Sequence, residues 1–212
     1  MKALEYTLIA DGSSDKTLLR IIKWSLDDLY PKLPNEGSFA DFRNILEPPK
    51  RLKDKVNKAK LYYPFDILFV HRDAESIKST MIEQRFKEIH NELQEEDFDK
   101  TICIVPVKMM ETWLLIDAEA IKKAAGNRNY SGCINLPQLK ILEKETQPKD
   151  LLHSLLREAS GKKGRNLKKF NIDKTVHLVA ENIEDFSPLR NLVAFQAFEI
   201  ELKKVVDNYL EN

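Results

Sequence analysis

An α/β fold on a mainly parallel sheet is what this sequence predicts, and three observations carry the prediction. Three short runs, 4–10 (LEYTLIA), 65–70 (FDILFV) and 101–105 (TICIV), have the length and composition of strands. Each is followed by a segment whose apolar residues recur at helical spacing. Alternation of the two argues for βαβ units, because parallel neighbours need a crossover and a helix usually supplies it.

The elements follow in order. The first run stops at Asp11-Gly12-Ser13-Ser14, and from Asp15 onward Leu18, Leu19, Ile22 and Leu26 share one side of a helix. The stretch 31–49, punctuated by prolines and a glycine, reads as loop, and 50–60 as a polar, basic helix. FDILFV is almost continuously apolar, as expected of a strand covered on both faces. A helix is predicted over about 76–93, and another over about 111–125 with Gly126 as its C-cap. Segment 139–160 reads as helix split by Pro148, 160–169 (SGKKGRNLKK) as a basic loop, and 175–180 as a short strand or helix. Pro188 precedes a long amphipathic C-terminal helix. The expected organisation is an α/β core over 1–130 with a mainly helical extension, 131–212, packed on it as one unit.

Composition bounds the function. The 212 residues are 42% hydrophobic and 32% charged, enough apolar material for one ordinary core. Basic and acidic residues balance at 34 each, which excludes a polycation that grips nucleic acid by bulk charge but leaves room for a local patch. No apolar run approaches the ~20 residues of a membrane helix. The opening residues, Met1-Lys2-Ala3-Leu4-Glu5, lack a signal-peptide core, and two cysteines, Cys103 and Cys133, are too few for a disulfide framework or a Cys-based zinc site. A cytoplasmic, reduced protein is expected. His90, His153 and His177 show no metal-ligand spacing, so zinc is not expected either.

Acidic residues stand at the predicted strand ends, where an open parallel sheet binds its ligands. Asp11 and Asp15 follow the first strand, Asp73 and Glu75 the second, and Glu111, with Asp117 further on, the third. Carboxylates gathered from different strands repel unless a cation sits among them, and Mg²⁺ or Mn²⁺ suits such hard oxygen ligands. Asp11 and Asp15 also have the identity and position of helix-capping residues. His71, just before the acidic pair, is either a ligand or proton carrier or a hydrogen-bonded structural residue. Trp113 is expected to pack in the core beneath the site.

These stretches resemble the TOPRIM domain of topoisomerases, primases and OLD-family nucleases. The likeness is to small TOPRIM-related bacterial proteins with the pattern E-G-x-(S/T)-(D/E), then R-D-x-D, then E-x-W-L-(L/I)-x-D. Here the stretches read Asp11-Gly12-Ser13-Ser14-Asp15, Arg72-Asp73-Ala74-Glu75 and Glu111-Thr112-Trp113-Leu114-Leu115-Ile116-Asp117. The likeness covers about residues 4 to 125, and Ser187-Pro188-Leu189-Arg190 is similar to that group's closing segment. Two positions depart from the pattern: Asp11 stands for a Glu, and Glu75 for an Asp. The resemblance implies a TOPRIM-like sheet and a Mg²⁺-dependent (or Mn²⁺-dependent) nuclease or other phosphodiester-acting protein, with a role in phage defence. Asp11 would then be acid/base or metal ligand, Asp73 and Glu75 metal ligands, and Glu111 a further ligand or a group behind them. The alternative is a non-catalytic subunit binding nucleic acid or a partner ATPase.

Lys162, Lys163, Arg165, Lys168 and Lys169 form a basic run without an acidic residue between 160 and 170. It is either a solvated face or a contact for the phosphate backbone of DNA or RNA. Lys50, Arg51, Lys53 and Lys55 form a second such run, whereas 92–99 (ELQEEDFD) is expected to be a solvated helix end and loop.

Overall fold

In the computed structural model, which describes residues 2–211, a four-stranded, all-parallel sheet is flanked by helices. The chain runs β1 (Leu4–Ile9), a 3-10 turn (Ser13–Thr17), α1 (Leu18–Leu29), β2 (Asn35–Phe39), α2 (Leu52–Tyr62), β3 (Ile67–His71) and α3 (Thr80–Glu92). It continues through α4 (Glu95–Phe98), β4 (Thr101–Ile104), a second 3-10 turn (Met110–Leu114) and α5 (Ala118–Ala124). The remainder is helical: α6 (Leu139–Leu142), α7 (Pro148–Ser160), α8 (Gly164–Lys168), α9 (Ile172–Asn182), a third 3-10 turn (Ser187–Asn191) and α10 (Val193–Glu211). Strand order is β2-β1-β3-β4. β1 and β3 are central and nearly continuously buried, which is why they read as apolar runs.

The predicted strands are present, and one more joins them. β2 (NEGSF) lies inside the stretch 31–49 expected to be loop; it pairs with β1 alone, from Leu4↔Asn35 to Leu8↔Phe39. As a half-exposed edge strand it needs no apolar run. Its Gly37 sits opposite Tyr6, where any Cβ would collide with the tyrosine ring.

Four further expectations are corrected. The helix predicted over 111–125 is two pieces, because the Asp117 side chain accepts from the N–H groups of Glu119 and Ala120 and starts α5 afresh. Gly126 does take the left-handed conformation of a C-cap, at φ 77°. The helix expected from 76 begins at Thr80. The basic segment 160–169 contains the short helix α8 rather than only loop; of the strand or helix left open for 175–180, the structure has the helix, within α9. The stretch 92–99 is not merely solvated: the Asp97 side chain is 1% exposed, held between Lys60 Nζ at 2.9 Å and Lys100 Nζ at 3.1 Å.

The aromatic centre of the core joins the sheet to the C-terminal helix. Trp113, fully buried, packs edge-on against Phe195 with centroids 5.2 Å apart, and against Phe198 at 6.1 Å. Phe198 in turn meets Phe69 of β3 at 6.4 Å. Trp113 therefore stands where the sequence expected it, and the same packing fixes the backbone that carries Glu111. Among the described residues no helix is long and apolar enough to cross a membrane.

Candidate active site

All four strands run the same way, so the loops after β1, β3 and β4 open on one edge of the sheet. His71 is the last residue of β3, and its side chain is 2% exposed. Its Nδ1 lies 3.0 Å from the Ile104 carbonyl oxygen, which accepts only, so Nδ1 carries the proton. The other ring nitrogen, Nε2, faces two acids: Asp73 Oδ1 at 3.4 Å and Asp15 Oδ2 at 3.9 Å. Burial opposes a charge on the ring, yet the two carboxylates and the carbonyl outweigh it and hold its pKa above the ordinary value.

Asp73 Oδ1 also accepts the Met110 N–H at 2.9 Å, which ties the loop after β3 to the turn that carries Glu111. The Glu111 side chain is 7% exposed and lies 3.5 Å from Lys149 Nζ at the start of α7. Burial pushes its carboxyl upward; Lys149 offsets part of that and the neighbouring Asp73 adds to it. Asp15 and Asp73, from two loops, thus face one buried imidazole, and Glu111, from a third, lies close enough to Asp73 to feel its charge.

The other two predicted acids stand differently. Asp11 is 72% exposed and pairs with Lys55 Nζ at 2.6 Å. Burial works against its charge, but Lys55, Arg72 and His71 prevail and keep its carboxyl below the ordinary value. It lines a cavity of about 190 Å³ between the ends of β1 and β2, together with Asp41, Arg43 and Lys55. Glu75 is 75% exposed and turned onto Arg85 Nη2 at 2.9 Å. Its backbone lies in the left-handed region (φ 56°), as does that of Lys108 (φ 63°), and the Glu75 N–H donates to the Lys108 carbonyl at 2.9 Å. Two non-glycine residues in this region, facing each other at the mouth of a site, mark a loop pair whose shape the surroundings impose. Asp15 also caps its own turn, accepting the Gly12 N–H at 2.9 Å, so capping and the site share one side chain.

The predicted basic residues are exposed but set apart. Lys162, Lys163, Arg165, Lys168 and Lys169 are solvent-facing around α8, and Lys162 Nζ stacks over the Phe170 ring at 4.6 Å. The eleven steps of α7 from Lys149, at Glu111, to Ser160 put that segment roughly 16 Å along the helix axis from the acids. A nearer basic surface went unread in the sequence. Lys16, Arg20 and Lys23 line a cleft of about 730 Å³ with Arg43, Tyr6 and His177. The signal was there, since positions i, i+4 and i+7 share a helix face. His177 closes one side by a 2.6 Å hydrogen bond with Thr17 Oγ1. In the second basic run, Lys55 is engaged by Asp11 whereas Lys50, Arg51 and Lys53 are exposed.

No protein-family model, no curated protein and no solved structure matches this chain. The functional reading therefore rests on the site itself. Carboxylate oxygens such as those of Asp15, Asp73 and Glu111 are the hard donors that Mg²⁺ or Mn²⁺ takes, but among the described residues no three of these acids bring ligand atoms within 4.8 Å of one another, so an ion would have to draw them together. Glu75, held by Arg85, stands apart from that set.

Proposed function

We propose that this chain is a TOPRIM-related, Mg²⁺- or Mn²⁺-dependent protein that acts on the phosphodiester backbone of DNA or RNA, as a nuclease, in the cytoplasm and in a phage-defence setting. The observation that carries the reading is that Asp15 and Asp73 face His71, with Glu111 beside Asp73, at the carboxyl edge of a parallel sheet. A divalent ion bound by these carboxylates would polarise a phosphoryl oxygen and activate a water.

Roles follow from the environment of each group. Asp11, its carboxyl held low by Lys55, is a poor proton acceptor near neutral pH and serves better as an ion or water anchor. Glu111, its carboxyl raised by burial, is the better proton carrier. His71 orients Asp73 and Asp15 and tempers their repulsion. The cavity beside Asp11 is smaller than the usual ~300–1,000 Å³ ligand pocket and suits a phosphate group, with Arg43 and Lys55 as its cations. The cleft along Lys16, Arg20 and Lys23 continues from Arg43 and offers a path for the flanking backbone.

One observation favours a second reading, a non-catalytic subunit that binds nucleic acid or a partner ATPase. Lys55, His71, Lys149 and Arg85 already supply cations to Asp11, Asp73, Glu111 and Glu75. Incubation with labelled single-stranded and duplex DNA and RNA separates the two. Cleavage in Mg²⁺ or Mn²⁺ that stops in EDTA and drops at least about 100-fold in Asp73→Asn supports the enzyme. Binding without cleavage under every metal condition transfers the argument to the subunit.

A further inference from the structure

We propose that His90, Cys103 and Glu201 form a zinc site at the outer edge of the sheet, separate from the acidic site and independent of the reading given to it. One ligand atom from each residue lies within 4.8 Å of the other two. Two ligands at the corners of a tetrahedral Zn²⁺ stand about 3.3–3.8 Å apart, from bond lengths of about 2.0–2.3 Å, so side-chain movements of about 1–1.5 Å at most close the set. Thiolate, imidazole and carboxylate are the ligand types zinc takes, whereas Mg²⁺ disfavours sulfur.

Each ligand is already oriented. His90, half-buried on α3, has Nδ1 2.8 Å from the Phe86 carbonyl oxygen, so Nδ1 carries the proton and Nε2 keeps its lone pair for a metal. Such a carbonyl partner is the usual support of a metal-bound histidine. Cys103 is fully buried on the edge strand β4. Its backbone N–H, on the unpaired side of that strand, donates to Glu201 Oε2 at 2.8 Å. That bond anchors the carboxylate and leaves Oε1 for the ion. A cavity of about 70 Å³, lined by His90, Glu201, Thr101, Phe98 and Lys204, adjoins the cluster and has room for a water as fourth ligand.

Burial raises both the Cys103 thiol and the Glu201 carboxyl, so Zn²⁺ would displace the thiol proton into solvent on binding and affinity would rise with pH. The ion would join α3, β4 and α10, three elements that sequence spacing keeps far apart.

The test uses the whole chain, freed of metal by EDTA and titrated with Zn²⁺ by calorimetry and with Co²⁺ by absorption. One Zn²⁺ per chain is expected, and a thiolate-to-Co²⁺ charge-transfer band with the visible absorption of a four-coordinate ion. Cys103→Ser should remove the band; His90→Gln, at a half-buried position that tolerates polarity, should weaken Zn²⁺ binding by more than the about 10–100-fold typical of losing an outer partner. Cys133→Ser should leave band and affinity unchanged. If Cys103→Ser fails to fold by circular dichroism, His90→Gln alone decides. Absence of the band in the parent, its loss in Cys133→Ser, or unchanged affinity in His90→Gln would overturn the proposal.

Discussion

His71 Nε2 lies 3.4 Å from Asp73 Oδ1, while the opposite ring nitrogen donates to the Ile104 carbonyl. The ring is thus fixed in tautomer by β4 and biased toward its charged form by the carboxylates that face it. A buried imidazole in this position is the basic group of an otherwise acidic site.

Stability should carry the signature of that pair. The folded pKa of His71 is raised, so its contribution is fully present below the ordinary histidine value near 6.5 and is lost as pH rises through the higher folded value. In EDTA, urea unfolding should show the parent about 1–3 kcal/mol more stable than His71→Gln at about pH 6, with the gap narrowing above neutrality. A gap that widened with pH would show that the ring is held neutral.

Divalent ions should stabilise the protein by mass action. Millimolar Mg²⁺ or Mn²⁺ should raise the Tm of the parent, and Asp73→Asn should lose most of the shift. A melting curve indifferent to metal would remove the ion from the acidic site.

Glu111, its carboxyl raised because burial outweighs Lys149, gives the opposite sign from an acid whose carboxyl is held low. Its raised carboxyl means that stability declines as pH climbs from the ordinary glutamate range to the folded value. Without metal, Glu111→Gln should therefore raise the Tm near neutral pH by a few °C, the size of a ~1 kcal/mol change in a chain this long. With metal, the same variant should show a smaller Mg²⁺ shift than the parent. Differential scanning calorimetry with and without EDTA reads both effects.

The exposed basic segment is tested by salt. If Lys162, Lys163 and Arg165 contact phosphates, replacing all three by Ala should make the slope of log affinity against log salt shallower by about two to three units, with similar weakening across sequences. Each side chain is exposed, so folding should change little. Lys16→Ala with Arg20→Ala provides the matching trial for the cleft beside the site; filter-binding titrations decide which surface carries the backbone.

Trp113→Ala should cost about 3–5 kcal/mol, because it empties the space between Phe195 and Phe198. Chemical denaturation measures the loss. Trp113→Phe should be milder, since Trp113 Nε1 is buried without a hydrogen-bond partner and its removal relieves that cost.

Much of this architecture is legible in local chemistry. β1, β3 and β4 are apolar because both their faces are covered, and a run of buried side chains leaves that mark wherever it occurs. β2 left no such mark, since a half-exposed edge strand needs only compatibility with its single neighbour, here Gly37 beneath Tyr6. Asp117 explains the misplaced helix boundary: a capping side chain outcompetes the continuity that apolar spacing suggests.

The sequence by itself determined the α/β class, the strands with two covered faces, and the presence of acids at their ends, because burial and capping act within a few residues of chain. Only the tertiary structure decided which acids meet. It turned Glu75 onto Arg85, gave Asp11 to Lys55, drew Asp15 to His71, and brought His90, Cys103 and Glu201 to one point. Those outcomes depend on side-chain direction and on partners tens of residues away, and charge and hydrogen bonding act through space rather than along the chain.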